Sequence, residues 1–129
     1  RRQRQMCIRD RHNVLILKSG TAVTNFEHWG FDTQMADLYR FMRKILEKYN
    51  WDVRFGKEML KAYHEIKPVS KEEWKNLKIR FSYPEKYWKL ANYYYTHRKT
   101  WISVKNTEKL QNLIRQREAW KRYCASFFF

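Results

Sequence analysis

Residues 12–49 read HNVLILKSGTAVTNFEHWGFDTQMADLYRFMRKILEKY, and the period of their apolar residues changes part-way along. Val14-Leu15-Ile16-Leu17 and Thr21-Ala22-Val23-Thr24 flank Lys18-Ser19-Gly20, which predicts a tight β-hairpin. Gly20 supplies the positive φ that such a turn favours. From Asp32 onward the period lengthens to that of a helix. Met35, Leu38, Tyr39, Met42, Ile45, Leu46 and Tyr49 recur at i, i+3 and i+4, which predicts an amphipathic helix over residues 34–49, ended at Asn50. The fold class that follows is mainly α with a short N-terminal β-hairpin.

The rest of the chain continues in helices. Residues 53–66 carry Met59, Leu60, Tyr63 and Ile66 on one predicted inward face, and Pro68 stops them. Ser70-Lys71-Glu72-Glu73 is a capping box: the serine accepts from an orphan N–H while Glu73 reaches back to the serine's own. The helix it opens presents Trp74, Leu77 and Phe81. Pro84 stands where an N1 proline belongs, opening a fourth helix with Tyr87, Trp88, Ala91, Tyr94 and Tyr95 along one side. A last helix is expected over residues 106–124, with Leu110, Leu113 and Ile114 and, further along, Trp120 and Cys124. No internal repeat or linker interrupts the chain after residue 12. The expected organisation is a basic tail (1–11), one unit (12–125) made of a loop end and hairpin (12–27) and helices (33–124), and an apolar end (126–129).

The chain has 129 residues, with 28 Lys plus Arg against 13 Asp plus Glu and a formal charge of +15. Part of that charge is concentrated in RRQRQMCIRDR (residues 1–11), which fits neither a helical nor a strand period. The remainder is interleaved with acids, as in Lys57, Glu58 and Lys61, and in i,i+4 pairs such as Glu118–Arg122. Such interleaving marks a solvated helix face, whereas a nucleic-acid surface carries fewer acids among its bases. No specific nucleic-acid partner is expected. The longest apolar run is too short to span a bilayer, so no membrane is expected either. Two cysteines, Cys7 and Cys124, can neither staple a mini-protein nor complete a four-ligand zinc site. No apolar segment follows the basic N-terminus, so no signal peptide is read and a reducing compartment is the default.

Few residues suggest chemistry. His12-Asn13 precedes the first strand and Asn25-Phe26-Glu27 follows the second, so a hairpin brings Asn13, Asn25 and Glu27 to one end. Hard oxygen ligands there could share Mg²⁺ with a phosphate. Equally, both asparagines could be turn residues satisfying local backbone. Asp37, beside Leu38, is either a helix-N-terminal charge or an anchor for a neighbouring loop's N–H groups. His64 and His97 lack a second ligand at i+4, and His28 lacks an adjacent nucleophile and orienting acid. The six tryptophans are spaced as core and rim anchors. No Gly-rich phosphate loop occurs.

The run from His12 to Asp52, with SYPEKYWKLANYYYTHRKTWIS (82–103) and EKLQNLIRQREAW (108–120), resembles the C-terminal part of CotS-family spore coat proteins. That family belongs to the aminoglycoside-phosphotransferase branch of the kinase-like fold. The resemblance implies a partial kinase-like C-terminal lobe of α+β type. His12-Asn13 match the end of the family's His-Gly-Asp-x-x-x-His-Asn loop, which makes Asn13 a metal ligand by resemblance, with His12 supporting the loop. The catalytic aspartate's place, four residues before His12, holds Ile8, and Asp10 is out of register. The metal-binding acid of the post-hairpin motif matches Asn25, an amide, for which Glu27 compensates only partly. Asp37 matches the helix acid that supports the catalytic loop.

By the same resemblance, the nucleotide-binding lobe is expected to be missing and the chain to be a truncated C-terminal fragment. RRQRQMCIRDR does not resemble the family and reads as adapter-derived, non-native sequence. The implied function is a structural or pseudoenzymatic spore coat component, in the mother-cell cytoplasm and spore coat of a spore-forming bacterium. Its implied partners are other coat proteins and, through an exposed hairpin, further copies of itself. No cofactor is expected for this chain alone, with ATP and Mg²⁺ left for a full-length parent. Two alternatives stay open: a fragment of an active ATP-dependent small-molecule or sugar phosphotransferase, and a basic helical nucleic-acid-binding module.

Overall fold

A computed structural model of the chain describes residues 4–5, 14–24, 30–96 and 104–128. The hairpin forms as the alternation dictates. Strand β2 (Val14–Leu17) pairs antiparallel with β3 (Gly20–Val23), Val14 opposite Val23 and Leu17 opposite Gly20. Gly20 sits at φ +141°, a conformation that a Cβ disfavours, so it closes the turn after Lys18 and Ser19. A second antiparallel pair, not foreseen in the sequence, joins Arg4–Gln5 (β1) to Gly30–Phe31 (β4).

Helix α1 (Gln34–Lys48) is the axis of the fold. Its stripe buries Met35, Tyr39, Met42 and Leu46, while Leu38 and Ile45 are half-buried and Tyr49 is exposed. Asn50 and Trp51 both take positive φ, at 51° and 57°, and the Trp51 N–H donates back to the Leu46 carbonyl at 2.8 Å. A bulky residue rarely adopts that conformation. The indole holds it through burial, with its ring 5.4 Å from the Tyr123 ring and 6.3 Å from that of Phe81.

Helix α2 (Val53–Ile66) is capped by Asp52, whose carboxylate accepts from the Arg54 and Phe55 N–H groups at 2.8 and 3.1 Å. Leu60 is buried, Met59 and Tyr63 half-buried, but Ile66 is 90 % exposed, against the inward place expected for it. It lies in the last turn, where the chain leaves the core for Val69. That turn is fastened by His64, whose Nδ1 accepts from the Val69 N–H at 3.0 Å.

The capping box of helix α3 (Lys71–Ser82) forms both of its bonds: Glu73 N–H to Ser70 Oγ at 3.2 Å and Ser70 N–H to Glu73 Oε2 at 2.9 Å. Leu77 and Phe81 are buried against α1, and Trp74 packs beside them. Arg80 donates to Asp32 at 3.0 Å, tying α3 to the entrance of α1.

Helix α4 (Glu85–Thr96) begins one residue later than expected. Pro84 precedes it, with its carbonyl accepting from the Trp88 N–H at 3.0 Å. Its aromatic side is not an inward face. None of its residues is buried, and Tyr87, Trp88, Tyr94 and Tyr95 are all more than half exposed. The helix packs at the edge of the bundle, chiefly on α5, and one narrow contact leaves most of an aromatic stripe in solvent.

Helix α5 (Val104–Phe128) is longer than expected and crosses α2, α3 and α4. Ala119 and Tyr123 reach the core, Leu113, Trp120 and Cys124 are half-buried, and Leu110 and Ile114 are exposed. Glu118 pairs with Lys121 at 3.4 Å rather than in the anticipated bond with Arg122. No helix of the described residues is long and apolar enough to cross a membrane.

Candidate functional site

Two places on this scaffold bear on function. The first is the open end of the hairpin, beyond Val14 and Val23. Ile8, His12, Asn13, Asn25 and Glu27, the loop and metal residues assigned by resemblance, all lie outside the described residues, as do His28 and His97. Asp37 is described. It stands in the first turn of α1, where a carboxylate meets the positive end of the helix dipole, with its side chain largely shielded and 3.8 Å from Arg40. Among the described residues, no three His, Cys, Asp or Glu side chains converge on a metal. As a donor set, Asn13, Asn25 and Glu27 offer two neutral amides and one carboxylate, which is poorly matched to a small, hard dication. No catalytic step is therefore derived through a metal at this end.

The second place is a cavity of about 460 Å³ between α1, the α3–α4 turn and α5. One column of α1 supplies Tyr39, Arg43 and Glu47, spaced by four residues so that they share a side of the helix. Trp51 and Phe81 contribute buried rings, and Trp120 enters from α5. Trp120 Nε1 donates to the Phe81 carbonyl at 3.0 Å, and Gln116 Nε2 to the Glu47 carbonyl at 2.8 Å, so α5 is pinned to α3 and α1.

Charge in this cavity is arranged in linked pairs. Lys86 Nζ lies 2.9 Å and Arg43 3.7 Å from the Glu47 carboxylate. Glu85 accepts from Lys89 at 2.5 Å and from the Tyr39 hydroxyl at 3.3 Å. Burial works to raise the Glu85 carboxyl, but Lys89 and Arg43, with the Tyr39 hydroxyl, outweigh it and hold it below its ordinary value. Burial pushes the Tyr39 phenol up to about 12; the Arg43 guanidinium, 5.6 Å above its ring, opposes this. The tyrosine therefore stays a neutral donor throughout the physiological range. Sequence reasoning missed this cavity, although the i, i+4, i+8 column of Tyr39, Arg43 and Glu47 was legible beside the apolar stripe.

The family described as "Spore coat putative kinase YutH" matches residues 3–127, nearly the whole chain. The chain belongs to this family of kinase-like spore coat proteins. The match begins within the basic N-terminal segment, which by itself did not resemble the family. The chain is also similar to "Spore coat protein S" of Bacillus subtilis (strain 168), with 29 % identity over 91 residues, covering 69 % of this chain and 26 % of that relative. Among solved structures it resembles an aminoglycoside phosphotransferase from Alicyclobacillus acidocaldarius, with a TM-score of 0.78 at 20 % identity, over 90 % of this chain and 34 % of that one. That likeness shows a kinase-like fold. The chain spans about a quarter of the curated relative's length and a third of the solved enzyme's. The CotS-family resemblance read from residues 12–52, 82–103 and 108–120 thus holds.

Proposed function

We propose that this kinase-like protein works in the spore coat as a structural component that does not transfer phosphate, made in the mother cell and retained by contacts with other coat proteins. One observation carries the reading. Asn25, an amide, stands where the family's post-hairpin motif places the metal-binding acid, and a neutral amide is a weaker ligand than a carboxylate for the hard dication that phosphoryl transfer uses. The likeness to an aminoglycoside phosphotransferase favours a second reading, in which the whole protein transfers phosphate from ATP to a small molecule or sugar.

Calorimetric titration of the complete gene product with ATP, with and without Mg²⁺, separates the two. The structural reading expects no Mg²⁺-dependent binding, and tight Mg²⁺-dependent binding overturns it. For the 129-residue chain alone, the expected result is no ATP-dependent phosphate transfer, because that chemistry rests on positioning and electrostatics by both lobes.

A further inference from the structure

The cavity between α1, the α3–α4 turn and α5 is not used by the structural reading above, and its chemistry selects a ligand. Its volume of about 460 Å³ lies within the range of small-molecule pockets. Its aromatic lining asks little of a ligand. The Trp120 indole N–H already donates to the Phe81 carbonyl, and the Tyr39 hydroxyl to Glu85. These rings offer apolar faces whose polar atoms have partners.

The charges decide the sign. Both carboxylates in the lining are already answered: Glu47 by Lys86 and Arg43, and Glu85 by Lys89 and Tyr39. A cationic ligand would have to displace one of these bonds. The guanidinium groups have capacity left. Arg43 lines the cavity, and its contact with Glu47 is long, at 3.7 Å. Arg117, in the lining from α5, is exposed and forms no ion pair among the described residues. An anion entering here gains two guanidinium contacts without breaking an existing pair.

We propose that this cavity binds a small amphipathic anion, an aromatic body bearing one carboxylate or sulfonate, with the ring against Trp120 and Tyr39 and the acid directed to Arg43 and Arg117. The site is separate from the hairpin end and does not depend on whether the whole protein transfers phosphate.

The test is calorimetric titration of the 129-residue chain with naphthalene-2-sulfonate, with 2-naphthylmethylamine as a cation of the same body and inorganic sulfate as an anion without one. Saturable one-site binding of the sulfonate is expected, at least tenfold tighter than either control. Arg43→Gln and Arg117→Gln should each weaken it several-fold. Arg117 is exposed, so its variant keeps the test decisive if Arg43→Gln fails to fold. Ile16→Lys, on the hairpin, should leave the affinity unchanged. No binding at millimolar sulfonate, equal binding of the amine, or full affinity in Arg117→Gln overturns the proposal. An acidic aromatic hexapeptide that binds more tightly than the sulfonate also overturns it, in favour of a peptide groove.

Discussion

Gly56 of α2 lies directly against the ring of Tyr123 of α5: a Cβ built on the glycine would stand 2.7 Å from both Cε2 and Oη of the tyrosine. The ring is fully buried, 5.5 Å from the Phe81 ring, so it has little room to withdraw. This glycine is needed for close approach of two helices, since its φ is not in the left-handed region.

Gly56→Ala is therefore expected to destabilise the fold. Alanine is the better helix former by about 1 kcal/mol, but overpacking against a fixed ring costs about 1–3 kcal/mol. A net loss is expected in the urea midpoint at unchanged slope. Tyr123→Phe removes one of the two clashing atoms, so the double variant should lose less than the sum of the single ones, with a coupling of at least about 0.5 kcal/mol. Strict additivity would contradict the contact.

The capping box carries a pH dependence whose sign is fixed. The Ser70 N–H, above all, holds the Glu73 carboxyl below its ordinary value; slight burial opposes this, and Lys67 at 3.4 Å assists. A carboxyl whose value is lowered in the folded state contributes stability that is complete above its unfolded value, about 4.3, and lost as pH falls through the folded one. Glu73→Gln keeps an acceptor for the Ser70 N–H but removes the titration. Its stability relative to wild type should therefore improve as pH drops below about 4. Ser70→Ala should cost about 1 kcal/mol at neutral pH. Thermal unfolding from pH 3 to 7 checks both.

Signals that act over a few residues are legible in the sequence. The Gly20 turn, the Ser70–Glu73 box and the α1 stripe each involve neighbours whose geometry the chain imposes by itself. Errors came where burial depends on a partner helix. Tyr87, Trp88, Tyr94 and Tyr95 repeat at helical spacing, yet spacing cannot say that α4 lies at the edge of the bundle with these rings in solvent. Tyr123, fully buried, stands outside every stripe because α5 meets the core late, whereas Trp51, expected as a core or rim anchor, is buried from a turn. The cavity was missed for the same reason, since Arg43 and Trp120 come together only when α1 and α5 pack. At the hairpin end, Ile8 and Asn25 were read by register against a family motif, and the resemblance alone supplied their meaning.

Cys124 should behave as a packing residue. Its Sγ lies 3.6 Å from the Phe81 carbonyl, and burial pushes its thiol up to about 11. Only the thiolate reacts with disulfide reagents, so little of the reactive form exists at pH 8. In a Cys7→Ser background, the remaining thiol should react with an aromatic disulfide reagent at least tenfold more slowly in the native protein than in urea. Equal rates would show that the C-terminal half of α5 opens freely.

The hairpin gives the prediction that bears most directly on assembly. Leu15, Ile16 and Leu17 are 45, 87 and 52 % exposed on a two-stranded sheet, the arrangement in which an apolar edge recruits another strand. Self-association through this edge is expected, rising with concentration and strengthened by salt, because apolar burial drives it and salt screens the repulsion between chains of charge +15. Ile16 is the most exposed of the three, so Ile16→Lys should lower association without loss of helix content. Sedimentation velocity across a concentration series, with circular dichroism as the control, reads both. A wild-type chain that stays monomeric at high concentration would remove the hairpin from consideration as an assembly surface. Association that persists in Ile16→Lys would instead move the interface to the exposed aromatic side of α4.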